Sequence, residues 1–214
     1  MRIVTRPDFD GIVCAVLLLE ALDNKMDICW MEPNEIQSGT ADIHKGDIIA
    51  NLPFHANAHL WFDHHVSNRP AHDVPGAFAI APSAAGVIYE YFKSENKIDQ
   101  KFDELVQQTD MIDSADLTQD QVRAPEDYPY IILSMTIQNK NFEDIPYWNR
   151  LVDMLRQTDI DTILKDPQVD ERCQAVIREN KAFARHLKDH TTVTDQISIT
   201  DFRSLDKVPS GNRF

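Results

Sequence analysis

MRIVTRPDFDGIVCAVLLLEAL, residues 1–22, joins two patterns through a short polar stretch. Residues 1–5 (MRIVT) read as a buried strand, and residues 11–22 (GIVCAVLLLEAL) as a helix that is apolar nearly all round. Between them, Arg6-Pro7-Asp8-Phe9-Asp10-Gly11 brings two carboxylates to the junction. In an open α/β sheet such a junction lies at the carboxyl edge, where ligands bind. Working outward, residues 28–31, 47–52 (DIIANL), 59–62 (HLWF) and 78–80 read as further strands. They are short, continuously apolar and separated by helical segments. That pattern predicts an α/β fold, a parallel sheet flanked by helices on both faces.

From Ser83 onward the pattern is helical. Ser83 is the candidate N-cap of a helix over 84–93, with Val87, Ile88, Tyr91 and Phe92 at helical spacing. Further helices are expected over 99–109, 120–138, 145–157 and 168–190, so the second half of the chain is helical. Residues 196–202 (QISITDF) alternate like a strand, and SLDKVPSGNRF follows. The expected organisation is one domain over 1–190, then a linker and the start of a further C-terminal domain over 191–214.

The chain has 214 residues, of which 43% are hydrophobic, enough for an ordinary buried core. Its longest apolar stretch, residues 12–19, is too short to span a bilayer, which takes about 20 residues. The N-terminal residues lack the apolar core of a signal peptide. Cys14, Cys29 and Cys173 are odd in number, widely spaced and in no C-x-x-C pair, which fits a reducing, cytoplasmic setting. With 21 basic and 35 acidic side chains the net charge is −14. Such a balance disfavours duplex nucleic acid and leaves room for a small phosphorylated substrate held by cations. Self-association as a homodimer is compatible with the sequence.

Two constellations carry candidate chemistry. Asp8 and Asp10 can converge on a hard cation such as Mg²⁺ or Mn²⁺; the plainer reading is acids complementing a helix N-terminus. Asp63-His64-His65 ends the strand HLWF. Imidazoles beside a carboxylate suit a transition metal; the plainer reading is a solvated loop. Each cluster follows an expected strand, so both fall at one edge of one sheet. His55 and His59 also stand four apart, but Pro53 and the strand that follows speak against one helix presenting both; His186 and His190 share that spacing on an expected helix and, with no third ligand nearby, read as surface.

With these motifs the sequence resembles the DHH phosphoesterase superfamily, which includes family-II inorganic pyrophosphatases, exopolyphosphatases, single-strand exonucleases and nano-RNases. Asp8 and Asp10 match its D-x-D motif, Asp63, His64 and His65 its D-H-H triplet, and PSAAGVIYEYF (82–92) the helix after it. The likeness covers roughly residues 1–120. It implies a metal-dependent phosphoesterase of exopolyphosphatase-like type, with Mn²⁺ or Mg²⁺ held by Asp8, Asp10, Asp63, His64 and a later aspartate. QQTDMIDSADL offers Asp110 as first choice for that aspartate and Asp113 as second, with Asp116 left to solvent. Asp63, His64 and His65 are the expected catalytic residues; Arg6, His65 and Arg69 the expected substrate contacts. The implied substrates are polyphosphate, pyrophosphate or a short oligonucleotide. The tail VPSGNRF resembles the approach to the family's C-terminal substrate-binding domain.

Two positions depart from the pattern. The first histidine of the family is replaced by Val4 or Arg6, according to alignment. The aspartate expected near the end of DIIANL is Asn51, which offers one neutral carbonyl oxygen. The rival reading is therefore a catalytically degenerate phosphate- or nucleotide-binding protein on the same fold.

Overall fold

Strand β1 (Arg2–Thr5) is buried from Ile3 to Thr5, as its sequence requires. In the computed structural model, which describes residues 1–22, 25–138, 142–206 and 211, β1 has a parallel neighbour on either side. The chain runs from β1 into helix α1 (Phe9–Ala21), β2 (Asp27–Trp30), α2 (Pro33–Gln37), β3 (Asp47–Ala50), β4 (Ala58–Asp63) and β5 (Gly76–Phe78). Then come α3 (Ala84–Lys93), α4 (Asp103–Asp113), α5 (Gln119–Arg123), α6 (Pro129–Met135), α7 (Ile145–Gln157), α8 (Ile160–Leu164) and α9 (Pro167–His190). Strands β6 (Thr191–Thr194) and β7 (Ile197–Thr200) follow.

Among the described residues, β1 to β5 form one sheet of order β2-β1-β3-β4-β5 with every pair parallel, so the expected α/β fold is observed. The chain leaves β1 for β2 on one side and returns to β3 on the other. The crevice between the ends of β1 and β3 is thus a switch point, where ligands bind in such sheets. Val4, Ile49 and Trp61 lie in register and join Met31, Ile43 and Leu52 in a core on one face. On the other face Phe62 meets Tyr91 and Phe92 of α3. Helix α1 is packed by α3, α4 and α7 as well as by the sheet. That surrounding explains why it is apolar all round rather than on one stripe.

The described residues gather into two compact units, Met1–Leu117 with Ile137–Ile163, and Thr118–Thr136 with Leu164–Phe214. The first holds the five-stranded sheet. In the second, α6 packs on α9, with Ile131, Ile132 and Leu133 buried from one helix and Val169, Cys173 and Val176 from the other.

Several boundaries differ from expectation. Helix α1 starts at Phe9, not at residue 11, because Asp8 caps it and draws Asp10 into its first turn. Strand β5 lies at 76–78, not 78–80. Its start is set by Gly76, at φ 107°, where a Cβ would fall 2.1 Å from the Trp61 carbonyl oxygen. The segment over 99–109 is a 3₁₀ turn, Gln100–Phe102, followed by α4, which runs on to Asp113. The single helix expected over 120–138 is broken into α5, a 3₁₀ turn and α6, with Pro125 and Pro129 each opening the next piece. Strand β6 was not expected; it pairs antiparallel with β7. Helices over 84–93 and 145–157 stand as read. Among the described residues no helix is long and apolar enough to cross a membrane. The tail over 208–214 lies, Gly211 apart, outside the described residues.

Candidate active site

The first functional stretch is held by its own backbone. Asp8 is the N-cap of α1, and its Oδ1 accepts the Gly11 N–H at 2.8 Å. Gly11 is needed there: a Cβ would lie 1.9 Å from the Arg6 carbonyl oxygen. Asp8 Oδ1 also accepts from Asn51 Nδ2 at 3.0 Å, which ties the end of β1 to the end of β3 across the switch point. Asn51 has φ 55°, a left-handed conformation that asparagine tolerates better than most residues. Arg6 Nε lies 3.3 Å from Asp8 Oδ2 and 3.8 Å from Glu32 Oε2.

Asp10 is 1% exposed, and its carboxylate meets the N-terminus of α3. Oδ2 accepts from Ala84 N at 3.0 Å and Oδ1 from Ala85 N at 2.8 Å. Two amide donors and the positive end of the helix dipole favour its charge. Burial, with Asp113 and Asp8 nearby, works the other way and raises its pKa well above the usual range. An acid in that balance gains from a cation.

The triplet at the end of β4 divides its tasks. Asp63, fully buried, accepts at Oδ1 from His64 N (2.9 Å) and pairs with His65 Nδ1 (2.8 Å); at Oδ2 it accepts from Asn68 Nδ2 (2.6 Å). It braces its neighbours. His65, with 38% of its side chain exposed, has its pKa raised by that hydrogen bond to Asp63. His64 turns the other way. Its Nδ1 lies 3.0 Å from the Ala81 carbonyl oxygen, which can only accept, so Nδ1 carries the proton. Nε2 is buried without a hydrogen-bond partner and faces Asp113 Oδ2 at 3.3 Å and Asp10 Oδ2 at 3.8 Å.

Of the two later aspartates, Asp113 joins this cluster. Its pKa is raised to about 6, by burial first and by Asp8 next. Asp110, one turn back on α4, instead accepts from Ser83 Oγ at 2.5 Å, and burial raises its pKa. Ser83 in turn caps α3 by accepting from Gly86 N at 2.9 Å. Asp110 thus supports the helix end that holds Asp10. Arg69 is exposed after the 3₁₀ turn Val66–Asn68.

One ligand atom each from Asp10, His64 and Asp113 lie within 4.8 Å of one another, and the same holds for Asp63, His64 and His65. The first trio fits a divalent cation better. Its imidazole nitrogen is unpartnered, and its tautomer is fixed by a backbone carbonyl, as for metal-binding histidines in general. Asp63 has both oxygens committed to protein donors. Asn68, Ser83 and the Ala81 carbonyl are supporting groups that no sequence motif marks; only the N-cap role of Ser83 was readable.

No family model matches the chain, and neither does any curated protein. Among solved structures, the pGpG-specific phosphodiesterase PggH from Vibrio cholerae superposes with a TM-score of 0.86 at 33% identity, covering 100% of this chain and 72% of that one. An uncharacterized protein from Helicobacter pylori G27 reaches a TM-score of 0.39 at 13% identity, over 92% of this chain and 73% of that one, too loose a likeness to carry an argument.

Proposed function

This chain belongs to the family of the pGpG-specific phosphodiesterase PggH, and from that premise we propose that it hydrolyses the phosphodiester bond of a short 5′-phosphorylated dinucleotide of the pGpG type. The observation that carries the reading is His64: Nδ1 held by Ala81, Nε2 buried, unpartnered and directed at Asp10 and Asp113. We assign the chain to the DHH phosphoesterase superfamily, on its D-x-D and D-H-H motifs. Phosphodiester cleavage takes precedence over the exopolyphosphatase-like reaction implied by sequence resemblance, because the relative acts on a dinucleotide.

Asp10, His64 and Asp113 would hold the divalent ion, Mn²⁺ or Mg²⁺. When bound, such an ion acidifies water and neutralises charge developing on the phosphoryl oxygens. Asp63 keeps His65 oriented and raises its proton affinity, which suits His65 to offer a proton to the leaving oxygen. Arg6 and Arg69 supply guanidinium groups for phosphate oxygens. Asp8 holds the β1–α1 turn that sets Arg6 and Asp10, and Asp110 steadies Ser83.

The second reading, a degenerate phosphate- or nucleotide-binding protein, is favoured by one observation: Asn51 and the fully engaged Asp8 weaken any further cation site. The two separate by turnover. Metal-loaded chain that releases GMP from pGpG supports hydrolysis; tight binding of pGpG without release supports the alternative.

A further inference from the structure

Three groups in the crevice between β1 and β3 are left over by the ion at Asp10, His64 and Asp113: Arg6, Asp8 and Asn51. Asp8 has both oxygens engaged. Oδ1 takes the Gly11 N–H and the Asn51 amide, and Oδ2 faces Arg6 Nε. A carboxylate can only accept, so Asn51 must present its Nδ2 to Asp8 and turn its oxygen away. That Oδ1 is buried without a partner, and it is neutral. An aspartate at 51 would set two carboxylates face to face at hydrogen-bond distance, which a cation between them or a shared proton would have to relieve.

The crevice already holds a fixed positive charge. Arg6 is ion-paired with Asp8 and Glu32, and 37% of its side chain is exposed. Its Nε is buried and, though 3.3 Å from Asp8 Oδ2, has no hydrogen-bond partner. Through Asp8, which also takes the Asn51 amide, Arg6 stands at the mouth of the same crevice. We propose that Arg6 takes the place of a second metal ion: its guanidinium binds a phosphate oxygen of the substrate, and the chain takes up one divalent ion. This rests on the hydrolase reading for the ion itself. A planar fork of donors suits two phosphate oxygens at once, whereas an ammonium offers only a point charge.

The test is Mn²⁺ uptake, by calorimetry and by elemental analysis of the dialysed protein, for the wild type, Arg6→Met and Arg6→Lys. Inorganic phosphate binding to each Mn²⁺-loaded chain is measured alongside. Methionine keeps much of the apolar stem, so the fold should survive. One Mn²⁺ per chain is expected in the wild type and in Arg6→Met, with phosphate binding at least tenfold weaker in Arg6→Met and intermediate in Arg6→Lys. Two Mn²⁺ per wild-type chain, or undiminished phosphate affinity in Arg6→Met, would overturn the proposal and leave the hydrolase reading standing. No Mn²⁺ in the wild type would overturn both. If Arg6→Met alone fails to take up Mn²⁺, Arg6→Lys decides: weaker phosphate binding supports the role and unchanged binding refutes it.

Discussion

The hydrogen bond from His64 Nδ1 to the Ala81 carbonyl, 3.0 Å long, decides which ring nitrogen is left for chemistry. A backbone carbonyl cannot donate, so Nδ1 must, and the lone pair on Nε2 is left facing Asp10 and Asp113. Replacing His64 with alanine removes the one nitrogen ligand of the trio. We expect Mn²⁺ affinity to fall on the order of 100-fold or more, measured by calorimetry, with the fold retained by circular dichroism. Wild-type affinity in His64→Ala would move the ion elsewhere.

Asp113 gives the site a pH dependence. Its pKa is raised from 3.8 to about 6 in the folded chain. Between those values the folded, metal-free chain binds more protons than the unfolded chain, so this group's contribution to stability falls as pH rises. Asp113→Asn cannot lose a proton and escapes that penalty. Its stability relative to wild type is therefore expected to grow from about pH 4 to about pH 6, as followed by urea unfolding without metal. Mn²⁺ needs the carboxylate, so wild-type affinity should climb over the same window. A flat difference between the two proteins would contradict the assignment.

Ser83 links two layers of the site, accepting from Gly86 N and donating to Asp110. Ser83→Ala removes a helix cap and leaves Asp110 without that donor. A loss of about 1 kcal/mol in unfolding free energy is expected, together with weaker Mn²⁺ binding through a looser Asp10. Unchanged stability would mean that Asp110 and the amides of α3 find other partners.

Asp47 offers a contrast at the opposite end of β3. Buried, it receives Arg2 Nη2 at 2.8 Å, the Arg2 N–H at 3.1 Å and the His44 N–H at 2.9 Å. Asp47→Ala strands these donors and should cost roughly 3 kcal/mol of stability. Metal stoichiometry should not change, because no site group depends on it. Loss of the ion without loss of stability would be the contrary result.

The strands and the main helices were legible because buried parallel strands and capped helices leave local patterns. The Ser83 N-cap and the apolar α1 are examples. The start of α1 at Phe9 was in principle readable, since Asp8 stands three residues before Gly11 and accepts its N–H. The TTVT run of β6 carried a β-branched signal that its neighbour α9 overshadowed. The choice between Asp110 and Asp113 was not legible. Both ride on α4, one turn apart, and the rotation of that helix is fixed by the burial of Leu105, Val106, Thr109 and Ile112. That is a tertiary fact. The Ala81 carbonyl is invisible for another reason: a backbone acceptor leaves no side-chain signature.

Metal-dependent phosphodiester hydrolysis at His64 is tested by GMP release from pGpG by the purified chain, with Mn²⁺, with chelator, and with His64→Ala under the same conditions. Release is expected from the wild type with Mn²⁺, and at least a thousandfold slower release in the other two, a loss of about 4 kcal/mol in transition-state stabilisation. No release by the Mn²⁺-loaded wild type, or equal release with chelator or with His64→Ala, would contradict it.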